Sequence, residues 1–112
     1  MEVKGYVEGQ TIFEVGETAD GLFIISSGEV GIYFPGNRSV SKPDIILKET
    51  QIFGEMGVID SQLRMATIRA HTNVNLLFVS KEDFDKKLSE ADIVIRGVIA
   101  ILSDRLRQLQ KK

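Results

Sequence analysis

Short apolar runs, broken at intervals by glycine, make up the first eighty residues of the chain. The clearest run is 29–34, where Val30, Ile32 and Phe34 alternate with other residues, as on a strand with one buried face. Extended segments are predicted at 5–7, 11–15, 22–26, 29–34, 44–48, 65–70 and 74–80, with an exposed loop at 35–43. Short strands at roughly ten-residue spacing predict a mainly β fold, an antiparallel β-barrel of the jelly-roll, cupin-like kind, over about residues 3–80.

From Ser80 onward, the apolar residues recur at the spacing of a helix and no longer at that of a strand. This serine can cap a helix, and Asp83 occupies the position of a capping-box acid. A second helix is predicted over about 90–109, so that two α-helices follow the barrel over roughly 81–111. Its apolar positions are Ile93, Val94, Ile95, Val98, Ile99, Ala100, Ile101, Leu102, Leu106 and Leu109. An apolar face this wide needs either burial on two sides or contact with another subunit.

Composition and charge narrow the class of protein. The 112 residues fit a single domain with one core, over residues 1–112. A net charge of −2 argues against a general nucleic-acid surface. The chain has no cysteine, so it offers no disulfide and no thiolate metal ligand. It also lacks an apolar run of membrane-spanning length and a secretion signal, so we expect a cytoplasmic protein.

The segment 53–70 holds the residues best suited to bind a ligand. Gly54 and Gly57 permit unusual backbone angles or a close approach, and 55–58 can form one helical turn with free N–H groups at its start. Arg64 is a forked donor for phosphate oxygens, and Glu55 can accept a hydrogen bond from a sugar hydroxyl. These residue types suit a phosphate joined to a ribose. They equally suit a surface loop with a glycine turn and an exposed Glu55–Arg64 ion pair.

A resemblance to a known family favours the first interpretation. Phe-Gly-Glu at 53–55 and Arg-Met-Ala-Thr-Ile at 64–68 resemble the phosphate-binding cassette of the cyclic-nucleotide-binding domain family. That family includes activator-type bacterial regulators, regulatory subunits of kinases and cyclic-nucleotide-gated channels. The segments 9–17 and 19–30 are similar to the strands and turns that precede its cassette. The two predicted C-terminal helices follow the cassette in the same order as in the family.

The resemblance implies a role for each site residue. Glu55 would bind the ribose 2′-hydroxyl, and Arg64 would pair with the cyclic phosphate. Arg105 falls where some members place a residue that covers the base; the alternative is an ion pair with a surface acid. The implied ligand-binding set is Gly54, Glu55, Met56, Gly57, Arg64, Met65, Ala66 and Arg105.

Four departures from the family pattern qualify that assignment. Leu63 replaces a usual proline, and Thr50 replaces a common glycine. Met65 stands where the family usually has Ala, Ser or Thr, and without a hydroxyl it favours cAMP over cGMP. The helix that often precedes the barrel is missing, so either it is dispensable here or the chain belongs to a longer protein.

The expected function is that of a receptor, in which binding of a cyclic nucleotide moves the C-terminal helix. We expect no enzyme activity, metal or cofactor, because His71 lacks metal-ligand partners and the acids Glu55 and Asp60 do not form a catalytic set. Expected partners are the nucleotide and either a second copy, through the C-terminal helix, or an attached effector domain. Direct DNA binding is not expected. The alternatives are a non-binding structural or dimerisation module of the same fold, or a small-molecule cupin of another type.

Overall fold

The computed structural model describes residues 1–59 and 63–110. Within them the strands are β1 (Glu2–Tyr6), β2 (Thr11–Phe13), β3 (Gly21–Ser27), β4 (Val30–Tyr33), β5 (Ile45–Leu47), β6 (Ile52–Phe53), β7 (Thr67–Ala70) and β8 (Val74–Ser80). The helices are α1 (Glu55–Ile59), α2 (Lys81–Ser89) and α3 (Ile93–Gln110). The prediction of a mainly β fold followed by two C-terminal helices is confirmed.

The strands form two antiparallel four-stranded sheets rather than a closed barrel. The strand orders are β1-β8-β3-β6 in the first sheet and β2-β7-β4-β5 in the second. Between the described strands no ladder of hydrogen bonds joins one sheet to the other, so the predicted closure is wrong. Apolar alternation shows which face of a strand is buried, but it does not show whether the edge strands of two sheets pair.

The two sheets pack face to face around one apolar core. Val30 and Leu76 lie at its centre, one from each sheet, and both are completely buried. The rings of Phe23 and Phe53 stack with centroids 5.0 Å apart, and Phe13 packs 6.0 Å from Phe53. Because only Gly54 separates Phe53 from α1, this aromatic contact fixes the point at which α1 begins.

The boundaries of the C-terminal helices follow from their caps. Ser80 caps α2 as predicted, its Oγ accepting a hydrogen bond from the backbone N–H of Asp83 at 3.1 Å. The third helix begins later than predicted, because Glu90 ends α2 and the Asp92 carboxylate accepts from the N–H of Val94 at 2.8 Å. None of the helices in the described ranges is long and apolar enough to cross a membrane.

The broad apolar face of α3 is exposed. Ser103 is buried and Ile99 half-buried, on the side of α3 that faces the rest of the domain, and α3 packs against α1. The exposed apolar side chains of α3 are Ile93, Val94, Ile95, Val98, Ile101, Leu102 and Leu109. This chain alone therefore does not bury that face.

Candidate ligand-binding site

A cavity of about 750 Å³ lies between the inner face of the second sheet and the segment that joins β6 to α1. Its volume is in the range of about 300–1,000 Å³ usual for small-molecule sites. The lining residues are Phe13, Ile32, Phe34, Pro35, Ile45, Leu47, Ile52, Phe53, Gly54, Glu55, Gly57, Arg64, Met65, Ala66 and Ile68. Most of them are apolar, and the two charged members are Glu55 and Arg64.

Arg64 is buried in the wall of this cavity, with 4% of its surface exposed. Its Nη1 donates to the carbonyl of Gly54 at 2.8 Å, and its Nη2 donates to the carbonyl of Gly21 at 2.6 Å. The same Nη2 pairs with the Asp20 carboxylate at 3.1 Å. The guanidinium carbon lies 4.0 Å from the centroid of the Phe13 ring, a cation–π contact.

One donor of this buried cation is left without a partner. The Arg64 Nε has no hydrogen-bond acceptor among the described residues. Burial lowers the pKa of the Arg64 guanidinium, and the Asp20 carboxylate opposes that change. Arginine nevertheless stays protonated in proteins, so a fixed positive charge lies beside the cavity, and its Nε–H is buried without an acceptor among the described residues.

The backbone of Arg64 is fixed as firmly as its side chain. Its N–H donates to the carbonyl of Glu17 at 2.8 Å, and its carbonyl accepts from Gly16 at 2.9 Å. The exposed Glu55–Arg64 ion pair that the sequence allowed is therefore not what the structure shows. Arg64 is buried, and its ion-pair partner is Asp20.

Gly54 has the unusual backbone angle that the sequence predicted, with φ of 81°. A Cβ atom at this position would lie 2.8 Å from Nη1 of Arg64 and 3.3 Å from the Phe13 ring. Only glycine therefore lets the start of α1 approach the guanidinium this closely.

The structure brings most of the other predicted site residues to the same cavity. Glu55 is the first residue of α1 and is half-buried at the cavity wall. Gly57 and Ala66, both buried, and the half-buried Met65 also line the cavity. Met56 lies in the same helical turn as Glu55 and Gly57. Asp60, which is not expected to act as a catalytic acid, lies outside the described residues.

Arg105, a predicted site residue, lies apart from the cavity. It is exposed on α3 and is not among the residues that line the cavity. Within the described part of the chain, Arg105 forms no ion pair either. Its assignment to the base stays a prediction that depends on a different position of α3.

Two features of the site were missed from the sequence. Asp20 was not assigned a role, because an acid before a glycine is an ordinary turn residue; only its proximity to Arg64 marks it. The contribution of the β4–β5 hairpin was also missed, although Phe34, Pro35 and Ile45 line the cavity. The available signal was the presence of apolar residues at both ends of a polar loop.

The sequence matches the family model of the cyclic nucleotide-binding domain over residues 3–91. It is 27% identical over 103 residues to the cyclic AMP receptor protein of Thermus thermophilus, covering 92% of this chain and 48% of the relative. It is also 27% identical over 96 residues to the cAMP-dependent protein kinase regulatory subunit of Emericella nidulans, covering 86% of this chain and 23% of the relative. The chain thus spans about half of the first relative and a quarter of the second.

Solved structures give the same result. The cAMP-bound form of the EAL enzyme Bd1971 superposes with a TM-score of 0.85 at 36% identity, over 97% of this chain and 29% of that chain. Its cGMP-bound form gives a TM-score of 0.86 at 35% identity, over 98% of this chain and 29% of that chain. A half-site-occupied form of Bd1971 superposes with a TM-score of 0.76 at 36% identity, over 97% of this chain and 97% of that chain. Together with the cavity and its buried arginine, these matches show that the chain belongs to the cyclic nucleotide-binding domain family.

Proposed function

We propose that this domain is a receptor for a purine 3′,5′-cyclic nucleotide, with cAMP as the preferred ligand, and that it has no catalytic activity of its own. The observation that carries the proposal is the buried Arg64, whose Nε lacks an acceptor in the wall of a largely apolar cavity. A buried charged donor without a partner is costly, and an anionic ligand removes that cost.

The groups that would bind the phosphate are Arg64 and the backbone around α1. On binding, a movement of the guanidinium toward the cavity would give its buried Nε a phosphate oxygen as the acceptor that it lacks, and the low local dielectric would strengthen that bond. Gly54 has no side chain to obstruct the approach. The backbone N–H groups of Met56, Gly57 and Ala66 are the further donors that the proposal assigns to phosphate oxygens.

In this proposal Glu55 binds the ribose, and the base would lie along the apolar lining of the cavity. The Glu55 carboxylate is an acceptor at the cavity wall, suited to the ribose 2′-hydroxyl. The rest of the lining offers apolar contact to a planar base. Met65 supplies no hydroxyl to a guanine amino group, which supports a preference for cAMP, although Bd1971 has been solved with either nucleotide bound.

Ligand binding would reach α3 through α1. The ribose and phosphate contacts lie at the start of α1, and α1 packs against α3. On that packed side, α3 buries the hydroxyl of Ser103 without a partner among the described residues. A change at α1 on ligand binding would therefore shift the position of α3. Arg105 would reach the base in the shifted position.

The exposed face of α3 is the proposed contact with a second copy of the chain. Most of its apolar side chains, among them Val98 and Leu102, form a stripe along one side of an 18-residue helix, and this stripe also contains the exposed Arg105. A stripe of this kind is typical of a helix that packs against another helix. An attached effector domain is the alternative occupant, since the chain spans only part of its relatives. A cytoplasmic location remains a prediction.

The first prediction concerns ligand binding itself. Titration with cAMP should raise the melting temperature by several degrees, since ligand at about 100 times its Kd adds roughly 2.7 kcal/mol. Glu55→Gln should reduce that increase and leave the melting temperature of the free protein unchanged. Arg64→Ala should abolish the increase and also destabilise the fold, because it strips hydrogen bonds from the carbonyls of Gly21 and Gly54. No response of the wild-type domain to cAMP or cGMP at millimolar concentration would contradict the receptor proposal and favour the non-binding alternative.

A second prediction concerns the choice of base. Met65→Thr should raise the affinity for cGMP relative to cAMP by about threefold to tenfold, the value of one hydrogen bond to the guanine amino group. Calorimetric titration of both nucleotides measures the ratio. Met65→Ala is the matched control, because it shortens the side chain without adding a hydroxyl. Equal ratios in these two variants would show that the base is selected elsewhere.

The third prediction concerns association through α3. Sedimentation equilibrium should show a dimer of the wild-type chain that Leu102→Glu converts to a monomer, because a carboxylate in an apolar interface is desolvated without a partner. Arg96→Glu, also exposed but outside the apolar stripe, is the control and should leave the dimer intact. A wild-type chain that stays monomeric at high concentration would leave the effector domain as the occupant.

A further inference from the structure

The β4–β5 hairpin forms a rim of the cavity and continues well beyond its backbone pairing. The ladder between the two strands ends at the pair Ile32–Ile45. Phe34 and Pro35, which lie beyond that pair, and Ile45, the first residue of β5, line the cavity. Phe34 and Ile45 are 42% and 43% exposed, so close packing does not hold this rim in place.

The side chain of Asp44 continues the hydrogen bonding between the two sides of the hairpin where the ladder ends. The N–H of Asp44 donates to the carbonyl of Ile32 at 2.8 Å, which extends the backbone pairing by one bond. Its Oδ2 then accepts from the backbone N–H of Phe34 at 2.9 Å, in the place of a partner-strand carbonyl. Oδ2 also accepts from Nδ2 of Asn37 at 3.0 Å.

Asn37 forms hydrogen bonds that connect separate parts of the loop to one another. Its Nδ2 also donates to the carbonyl of Lys42 at 3.0 Å, and its Oδ1 accepts from the N–H of Ser39 at 3.0 Å. Its backbone N–H donates to the carbonyl of Phe34 at 3.0 Å. Asn37 and Asp44 together are called the loop clamp below, since their side chains connect both ends of the loop.

The electrostatics of the loop clamp agree with this geometry. The hydrogen bond from Asn37, followed by that from the Phe34 N–H, lowers the pKa of Asp44. The ionised form, which accepts both bonds, is therefore the one that the folded loop favours.

We propose that Asp44 and Asn37 are positioning residues of the ligand site, which hold the Phe34–Ile45 rim in the place where it contacts the base of the nucleotide. This inference rests on the proposed function, because it assumes a cyclic nucleotide in the cavity. The charged and sugar-binding groups, Arg64 and Glu55, lie outside the hairpin, whereas its contribution to the lining is entirely apolar. Of the parts of a cyclic nucleotide, the base is the one that such a surface suits.

The loop clamp matters because an exposed apolar rim is otherwise free to move. A rim ordered before binding loses less conformational freedom when the ligand arrives, and affinity rises accordingly. Loss of the loop clamp should therefore weaken contacts with the base and leave the phosphate and ribose contacts as they are. This separation distinguishes a positioning role from general damage to the fold.

The test compares a complete nucleotide with one that lacks the base. Asp44→Ala removes both hydrogen bonds to Oδ2 and should weaken binding of cAMP by about threefold to tenfold, the cost of ordering one side chain of the rim on binding. Binding of the base-free methyl riboside 3′,5′-cyclic phosphate should not change. Asp44→Asn keeps an acceptor oxygen and should restore most of the affinity for cAMP. The control is Gln10→Ala, which removes the bond from the Val7 N–H to Oε1 of Gln10 at 3.1 Å in a turn outside the cavity lining, and it should change neither affinity.

Each other outcome overturns the inference. If Asp44→Ala weakens both ligands equally, its effect is on the fold and not on the rim. If it weakens neither, the loop clamp does not position the site. If the wild-type chain binds neither ligand, the proposed function fails together with the inference, and this result is distinct from the first two.

A second measurement follows the rim without any ligand. The chain has no tryptophan, so Phe34→Trp places a single indole fluorophore on the rim. Adding Asp44→Ala to that variant should lower the fluorescence anisotropy of the indole, while adding Gln10→Ala should not. Equal anisotropy in the two double variants would show that the rim is held without the loop clamp.

Discussion

The burial of one positive charge constrains this structure more than any other single feature. The Arg64 guanidinium is almost completely removed from water, and such a charge is tolerated only when hydrogen bonds surround it. It obtains them from the carbonyls of Gly21 and Gly54 and from the Asp20 carboxylate. Three segments distant in sequence are thus held at one point: the start of β3, the residue before α1, and the residues before β7.

The same constraint leaves a cationic group beside the cavity, and the proposed function assigns the ligand phosphate to that group. The surrounding groups use the two terminal nitrogens of Arg64, and Nε stays unpaired within the described residues. The position of Gly54 and the aromatic contact of Phe53 bring the start of α1 close to the Arg64 guanidinium. In the proposed function, polar recognition would therefore be concentrated at one end of α1, while the apolar lining and the hairpin rim would contact the rest of the ligand. Because α1 also contacts α3, the ligand site and the C-terminal helix share one short element.

Local signals in the sequence predicted the elements well and their assembly less well. The cap at Ser80, the helical turn after Gly54 and the shared cavity of Glu55, Arg64 and Met65 all follow from residues near each other in the chain. The barrel closure was wrong, since edge pairing depends on how the sheets pack. The two-residue strand β6 was missed, because two residues are too few to show alternation.

Long-range contacts account for the remaining differences. The Asp20–Arg64 pair joins residues far apart in the chain, and its partners are unremarkable when seen alone. The sequence assigned Arg64 to the ligand, whereas the structure shows that the same side chain also holds the fold together. Arg105 was placed by its position in a family pattern, and the position of α3 in this structure leaves it exposed.

The central claim is that Arg64 Nε is a donor held ready for a ligand phosphate, and nuclear magnetic resonance can observe that N–H directly. In the ¹⁵N-labelled domain, the resonance is assigned by its disappearance in Arg64→Lys. On saturation with cAMP it should move downfield, and its exchange with solvent should slow as the N–H gains a charged acceptor. If cAMP saturates the domain while this resonance keeps its position and exchange rate, the ligand is held by other groups and the account is contradicted.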